Sequence, residues 1–440
     1  MKRRDFARTV AATAAAAALP VSRLGASPPH RAAGVNGERL NGWMTAIGEF
    51  GKTPAGGVHR LAYSEADILA RAYTMQLMRD AKLDVSVDAA GNIFGKRAGR
   101  DAAAKPLIFG SHVDSVPDGG NFDGPVGTLA AIEVARTLGE RGTLTRHPLW
   151  VVCWQNEEGG TWGSHLVTTE TTAAERATVA RSGKSIDEGV RLLGGDPARL
   201  ASARLHRGDA HGYLELHIEQ GGNLDREKLN IGVVEGIVGL REWDVTIEGF
   251  ANHAGTTPMG ERRDAMLSAA RFTEMVHRMV TSEPGRQVGT VGRIQAFPGA
   301  PNVVPGKVAC TLELRDLDDR KIQRLYDAIV AEAATIGARN GTTFAYHEFV
   351  THESAQCDDR VRAMVADAAK ALGLSTLSLP SGAGHDAQNL ARVCPMGMIF
   401  IPSVGGISHS PREFSRPADI ANGANVLMGA LLAMDAATFR

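Results

Sequence analysis

The alternation of short apolar runs with helical patterns constrains the fold of this chain more than any other feature. Residues 106–112 and 149–154 are apolar runs of strand length, and residues 128–138 between them have helical spacing. Earlier in the chain, an amphipathic helix at 68–81 is followed by an alternating strand at 83–88. Strands that alternate with helices in this way favour an α/β sheet sandwiched between helices.

The middle of the chain has a different pattern. Its predicted elements, in order, are a strand at 240–248, a helix at 263–279, alternating stretches near 288–294 and 308–314, a helix at 321–338 and a strand at 343–349. This β-α-β-β-α-β order is typical of a ferredoxin-like α+β domain. We therefore predict an inserted domain at 239–352, with the first domain formed by 37–238 and 353–440.

The N-terminus has the pattern of a bacterial export signal. The pair Arg3-Arg4 precedes an Ala-rich stretch at 10–21, which is shorter than the ~20 residues needed to span a bilayer. We predict a twin-arginine signal peptide at 1–27, a linker at 28–36 and a periplasmic location. The net charge of -1 gives no support for a nucleic-acid partner or for a membrane partner after export.

Five polar clusters lie at the ends of apolar strands, where ligands bind in such sheets. Their chemically active residues are His112 and Asp114, Asp123, the pair Glu157 and Glu158, His217, and His409. In an extended segment His112 and Asp114 share a face, so Asp114 can accept the imidazole N–H and orient the ring. Together the clusters supply the ligands for a pair of zinc-like ions that share a carboxylate and a water.

Eight stretches of the sequence carry a more specific resemblance. They are residues 51–58, 111–116, 119–124, 217–221, 252–258, 301–306, 381–387 and 408–411. As a set they resemble the hydantoinase/carbamoylase branch of the M20 metallopeptidase family, from about Asn36 to the C-terminus. The resemblance implies a zinc-exopeptidase-like α/β catalytic domain, a mixed sheet sandwiched by helices, with an inserted ferredoxin-like α+β lid and dimerisation domain.

The resemblance also implies a role for each matching residue. Two divalent ions, zinc or else manganese, cobalt or nickel, have as expected ligands His112, Asp123, Glu158, His217 and His409, with Asp123 bridging. The expected catalytic residues are Glu157 as general base, Asp114 as the partner of His112, and His253 as a donor to the developing oxyanion. The expected substrate-binding residues are Gln220, Asn302, Arg315, Gly384 and His385.

The inserted domain is expected to form a homodimer and to close over the substrate. His253, Asn302 and Arg315 then reach the substrate at least partly across the subunit boundary. We expect Arg315 of one subunit to bind a substrate carboxylate at the metals of the other. A guanidinium can donate two parallel hydrogen bonds to a carboxylate, which a lysine ammonium does less well.

The implied reaction is hydrolysis of the carbamoyl C–N bond of an N-carbamoyl L-amino acid to amino acid, CO2 and ammonia. Allantoate amidohydrolase or β-ureidopropionase activity is the alternative, followed by M20 dipeptidase or aminoacylase activity. A binding protein on a metal-free version of the fold is a further reading, but Glu157 and every ligand are present. Residues 159–165 and His59 depart from the family pattern, so the side-chain pocket and the exact substrate stay open.

Overall fold

The first helix starts where the predicted linker ends. The computed structural model describes residues 34–439, so the predicted signal peptide at 1–27 and residues 28–33 of the linker lie outside the described residues. The Asn36 side chain caps the helix by accepting a hydrogen bond from the backbone N–H of Arg39. In residues 34–439 no helix is both long and apolar enough to cross a membrane.

The described chain alternates helices and strands. The helices are α1 (Gly37–Ile47), α2 (Glu65–Asp80), α3 (Pro125–Glu140), α4 (Trp162–Thr168), α5 (Ala173–Arg176), α6 (Ile186–Leu192), α7 (Asn223–Glu227), α8 (Ala265–Ser282), α9 (Asp319–Asn340), α10 (Asp359–Ala371), α11 (Asp386–Leu390) and α12 (Pro417–Ala436). The strands are β1 (Asp84–Val87), β2 (Ile93–Arg97), β3 (Leu107–His112), β4 (Leu149–Trp154), β5 (Gly212–Ile218), β6 (Ile231–Ile237), β7 (Gly239–Glu248), β8 (Asn252–His253), β9 (Val288–Thr290), β10 (Ile294–Phe297), β11 (Val303–Val304), β12 (Lys307–Asp316), β13 (Thr343–His352), β14 (Ala355–Gln356), β15 (Thr376–Ser381) and β16 (Met396–Ile401).

The larger sheet is mixed and has the order β1-β2-β4-β3-β5-β16-β6-β14, with β15 paired in parallel to β6. Its centre, β4-β3-β5-β16, is parallel. Along β3, Leu107 and Phe109 join a core that includes α3 and α12, whereas Ile108 joins a second core on the opposite face. Both faces of the sheet are therefore buried against a hydrophobic core. For this reason the sequences of these strands are continuously apolar and do not alternate between apolar and polar residues. The predicted fold class is confirmed.

The second sheet is antiparallel and is formed by residues between Gly239 and His352. Its order is β10-β12-β7-β13, with β9 also paired to β12, and α8 and α9 pack on one face. Trp243, Val245 and Ile247 of β7 point into that helical core. The intervening residues of β7 therefore point to the opposite, helix-free face of the sheet.

Several predicted elements differ from the observed ones in their bounds, and two of these differences have local reasons. The helix expected at 128 starts at Pro125, because proline is favoured in the first helical turn, where its missing N–H costs nothing. The single alternating stretch expected near 288–294 is instead two short strands, β9 and β10, which pair with opposite ends of β12. The assignment of this region as a lid and dimerisation domain stays a prediction.

Candidate metal and substrate site

Adjacent parallel strands bring the predicted ligands to one edge of the larger sheet. His112 is the last residue of β3, and His217 is the next to last of β5. Glu157 and Glu158 follow β4, which lies beside β3. Since parallel strands end at the same edge, residues distant in sequence converge there. All of these side chains are buried except that of Glu158, which is half-buried.

Asp123 reaches the same place on a loop that a buried carboxylate holds. The backbone N–H groups of Phe122 and Asp123 donate to Glu413 Oε1, at 2.9 and 3.1 Å. Ser408 Oγ donates to Glu413 Oε2 at 2.8 Å. Glu413 thus ties the Asp123 loop to the segment that carries His409. We did not predict this role from sequence, and the only signal available was the position of Glu413 four residues after His409.

Two groups of candidate ligands share Asp123. Asp123 Oδ1 lies 3.5 Å from His112 Nε2 and 3.1 Å from His217 Nε2. Asp123 Oδ2 lies 3.4 Å from His409 Nε2, and that nitrogen lies 3.7 Å from Glu158 Oε2. Two donors on one tetrahedral zinc ion are about 3.4 Å apart when the metal–ligand bonds are near 2.1 Å. The spacing therefore fits divalent metal, which His112 and His217 would hold together with one oxygen of Asp123, and His409 and Glu158 together with the other.

The ring tautomers give an independent test of this fit. His112 Nδ1 lies 3.1 Å from the carbonyl oxygen of Asp114, and His217 Nδ1 lies 2.9 Å from that of Ile218. Each Nδ1 must donate to its carbonyl, which leaves Nε2 to face the cluster. Both Nε2 atoms and Glu158 Oε1 are buried and lack a hydrogen-bond partner within the described chain. Buried polar atoms are rarely left unpaired, so these three are suited to coordinate cations.

The charges of the cluster also favour a cation. Burial lowers the pKa of the His112 imidazole, but the neighbouring carboxylates, Glu157 foremost, outweigh burial and raise that pKa well above its usual range. Burial raises the pKa of the Asp123 carboxyl, but the imidazoles, His217 foremost, hold it well below its usual range. Asp123 is therefore ionised, and the field that attracts a proton to His112 attracts a metal ion by the same physics.

The predicted contact between Asp114 and the His112 ring needs correction. The Asp114 carboxylate lies 3.7 Å from His112 Nδ1, beyond hydrogen-bond range, and the backbone carbonyl of Asp114 accepts from the ring instead. The carboxylate accepts from the backbone N–H groups of Glu157 and Glu158, at 3.2 and 3.1 Å. These two N–H groups lie just after β4, and the Asp114 carboxylate bonds to them rather than to the His112 ring. Asp114 therefore orients the turn that carries both glutamates.

A cavity of about 290 Å³ opens beside the cluster. Its lining residues are Asp123, Glu157, Glu158, Gly160, Thr161, Gln220, Val238, Leu240, Arg315, His352, Ala383, Gly384, His385, Gln388 and His409. Gln220 Nε2 donates to Asp123 Oδ2 at 2.7 Å, and His385 Nε2 lies 2.8 Å from Ser381 Oγ. The structure thus brings the predicted residues Gln220, Gly384 and His385 to the cluster. Sequence reasoning missed Thr161, His352 and Gln388, which lie in segments without a metal-ligand pattern.

Arg315 lines this cavity in the same chain, whereas we predicted that it reaches the site of a partner subunit. Arg315 pairs with Leu240 across the sheet, and Leu240 follows almost directly on β6 of the larger sheet. The register therefore fixes Arg315 at the base of the inserted region. Its Nε and Nη2 donate to the carboxylate of Glu313, at 2.8 and 3.1 Å, and Nη1 donates to the Gly382 carbonyl at 2.8 Å.

His253 and Asn302 are not part of this cavity. They lie in or beside the short pair β8 and β11, and both are exposed. His253 Nδ1 accepts from the backbone N–H groups of Gly255 and Thr256, at 3.0 and 3.2 Å. The structure therefore gives the two residues no contact with the metal cluster of their own chain.

Known proteins with similar sequences and structures agree with this architecture. The chain is 39% identical to an N-carbamoyl-L-amino acid amidohydrolase of Geobacillus stearothermophilus, over 89% of this chain and 97% of that relative. It is 34% identical to a ureidoglycolate hydrolase of Arabidopsis thaliana, over 89% of this chain and 85% of the relative. A hydantoinase/carbamoylase family amidase structure from Burkholderia multivorans matches with a TM-score of 0.85 and 36% identity, over 92% of this chain and 99% of the other.

A family model also matches most of the chain. The family model described as peptidase family M20/M25/M40 matches residues 108–433. That range contains all five candidate metal ligands and Glu157. It includes the whole second sheet, and the larger sheet except β1, β2 and the first residue of β3. The prediction is confirmed: this chain belongs to the M20 peptidase family, among relatives of the hydantoinase/carbamoylase type.

Proposed function

We propose that this chain is a di-metal amidohydrolase that cleaves the carbamoyl C–N bond of N-carbamoyl L-amino acids. The observation that carries the proposal is one cavity that is lined both by residues of the Asp123 cluster and by Arg315. Such a cavity accommodates a small molecule with a scissile amide at the cluster and a carboxylate some distance away. Relatives with 39% and 36% identity are N-carbamoyl-L-amino acid amidohydrolases.

We assign two divalent ions to the cluster, held by His112, Asp123, Glu158, His217 and His409. When bound, such ions polarise a carbonyl oxygen and make a water molecule more acidic. Imidazole and carboxylate ligands suit zinc, manganese, cobalt and nickel alike, so the ligand set leaves the physiological metal open.

Glu157 is the proposed general base. Its carboxylate lines the cavity, and its Oε2 lies 3.5 Å from His112 Nε2. It can therefore remove a proton from the attacking water and deliver that proton to the leaving nitrogen. One water is consumed as hydrolysis breaks one C–N bond of the ureido group. The resulting carbamate then loses CO2 by breaking the other C–N bond, so the products are ammonia, CO2 and the free amino acid. The hydrogen bond from its backbone N–H to Asp114 keeps the side chain aimed into the cavity.

Arg315 is the proposed site for the substrate carboxylate. Its Nε and Nη2 donate to Glu313 and its Nη1 donates to the Gly382 carbonyl, which leaves one N–H on each terminal nitrogen for a substrate carboxylate. Charge-assisted hydrogen bonds from a guanidinium to a carboxylate are stronger than neutral ones. Ureidoglycolate and allantoate also combine a ureido group with a carboxylate, and relatives with these activities match at 34% and 32% identity. They are the alternative substrates.

The test of this function is ammonia release from a panel of purified substrates. The panel contains N-carbamoyl-L-methionine, N-carbamoyl-L-phenylalanine, N-carbamoyl-β-alanine, allantoate, ureidoglycolate and a Gly-X dipeptide. We expect the N-carbamoyl L-amino acids to give the highest kcat/KM. A higher value for allantoate or ureidoglycolate contradicts the assignment and supports the alternative, while turnover of the dipeptide alone contradicts both.

Removal of divalent metal is expected to abolish activity. Without the ions, Glu157 would have to deprotonate an ordinary water molecule, so chelator-treated protein should be inactive and should recover only when Zn, Mn or Co is restored. Elemental analysis checks the metal content at each stage. Full activity in a preparation free of metal contradicts the di-metal proposal.

Substitution of Arg315→Ala is expected to raise KM for carboxylate substrates on the order of 10²-fold, because a charge-assisted pair is lost. The matched control is Arg293→Ala, which removes an exposed arginine that lies just before β10 and pairs with Asp244 of β7. Its KM should stay near the wild-type value. A normal KM for Arg315→Ala, or an equal rise in both variants, contradicts the carboxylate assignment.

We also retain two proposals that rest on the sequence and the family resemblance. The chain forms a homodimer through the inserted region, and the twin-arginine segment directs it to the periplasm. Because Arg315 lies in the cavity of its own chain, mixed dimers of Glu157→Gln and Arg315→Ala subunits should contain no intact site. Sedimentation analysis tests the dimer, and the N-terminal sequence of protein recovered from the periplasm tests the export.

A further inference from the structure

One row of residues crosses the helix-free face of the second sheet where the sheet meets the cavity. Arg315 of β12 lies opposite Leu240 of β7, and Leu240 lies opposite His352 of β13. Directly opposed residues on neighbouring strands point to the same side of a sheet. All three line the cavity beside the metal cluster. Arg315 was a predicted substrate-binding residue, and His352 was not.

His352 faces the cavity because of a β-bulge. The register between β13 and β7 shifts between Glu348 and Val350, so Phe349 is an extra residue in β13. Continued without the shift, the register would place Thr351 opposite Leu240 and turn His352 to the other face. One extra residue reverses which side chains face each way, and bulges next to binding sites commonly re-aim a side chain.

Arg315 and His352 are too far apart for both to contact the same functional group of a small substrate. Two strand spacings separate them, about 10 Å at the backbone. Leu240 lies between and supplies an apolar surface. The row therefore offers a guanidinium at one end, an apolar surface in the middle and an imidazole at the other end.

Gln388 completes the far end of this surface. Its Nε2 donates to the carbonyl oxygen of Glu353, the residue after His352. This contact turns Oε1 toward Gly384, where a Cβ would lie 3.5 Å from that oxygen. Gln388 and Gly384 both line the cavity. The far end thus offers an imidazole and an amide oxygen, two neutral hydrogen-bonding groups.

We propose that Leu240, His352 and Gln388 form the side-chain subsite, and that it selects N-carbamoyl L-amino acids with a short, uncharged polar side chain, such as asparagine. This inference rests on the proposed function. Burial and the nearby Arg315 charge lower the pKa of His352, so the imidazole is neutral at neutral pH and offers a hydrogen bond rather than a charge. The cavity, about 290 Å³, is at the small end of ligand sites, which disfavours bulky side chains.

The experiment compares two substrates of nearly equal shape, N-carbamoyl-L-asparagine and N-carbamoyl-L-leucine. We expect wild-type protein to have the higher kcat/KM for the asparagine derivative. In the His352→Leu variant, the ratio of kcat/KM for the asparagine derivative to kcat/KM for the leucine derivative should fall about 10-fold. This is the effect expected from the loss of one hydrogen bond, and it should arise chiefly from a higher KM for the asparagine derivative. His352→Gln should retain most of the ratio, because glutamine still donates and accepts.

The matched control is His347→Leu. His347 is exposed on the same strand, opposite Asp244, and does not line the cavity. Its ratio should equal that of wild-type protein. A wild-type preference for leucine, or an unchanged ratio in His352→Leu, overturns this inference and leaves the proposed function intact. Absence of turnover with every carbamoyl substrate overturns the proposed function, and this inference with it.

Discussion

Replacement of Glu157 by glutamine is expected to reduce turnover by at least ~10²-fold, because the amide cannot accept the proton of the attacking water. The substitution preserves shape, and the backbone N–H of residue 157 still donates to Asp114. Glu157 also lies outside the two ligand groups that share Asp123. Metal content and KM should therefore stay near their wild-type values while kcat falls.

The contrasting variant is Asp123→Ala, which removes the carboxylate common to both ligand groups. Two cations about 3.5–4 Å apart repel each other unless an anion lies between them. We expect this variant to lose metal as well as activity. Elemental analysis beside steady-state kinetics separates the two cases. Near-normal kcat in a metal-replete Glu157→Gln protein assigns the general base to another residue.

Substitution of Gly124→Ala is expected to lower both stability and metal content. Gly124 precedes α3 with a φ of +79°, and a Cβ there would lie 2.4 Å from His112 Cε1 and Nδ1. No side chain is tolerated at that distance, and His112 has no space to retreat because it is fully buried. We expect the free energy of unfolding to fall by at least ~2 kcal/mol, from backbone strain and overpacking together.

The control for this substitution lies in α3, the helix that Gly124 precedes. Gly139→Ala in α3 adds a Cβ that meets nothing within 4 Å. There the substitution should stabilise the protein by about 0.5–1 kcal/mol, since alanine loses less backbone entropy in a helix. Denaturant unfolding of both variants, with bound metal measured beforehand, checks the pair. Equal stability of the two variants contradicts the packing argument at His112.

The positions of the strands and of their terminal polar residues could be predicted from the sequence because they depend on local patterns. The predicted strand 149–154 has the bounds of β4, since apolar periodicity acts over a few residues and a doubly covered strand needs an unbroken apolar run. Parallel strands then bring their ends together by geometry alone. For that reason His112, His217 and the Glu157-Glu158 pair could be expected to converge before any coordinates were known.

Contacts that depend on register or on competition between partners could not be predicted in this way. The residues next to Arg315 in the sequence do not reveal that it pairs with Leu240 and lines the cavity of its own chain. Likewise, the Asp114 carboxylate serves two backbone N–H groups that become its neighbours only after β3 and β4 pair.

The sequence by itself determined the fold class and which residues could bind metal, because strand periodicity and ligand chemistry are properties of short segments. The tertiary structure alone decided which side chains share a cavity. His253 and Asn302 lie away from the cluster of their own chain, Glu413 holds the Asp123 loop, and one extra residue at Phe349 turns His352 inward. The physical reason is that strand register and loop packing are fixed by contacts between distant segments, and a shift of one residue reverses the face to which a side chain points.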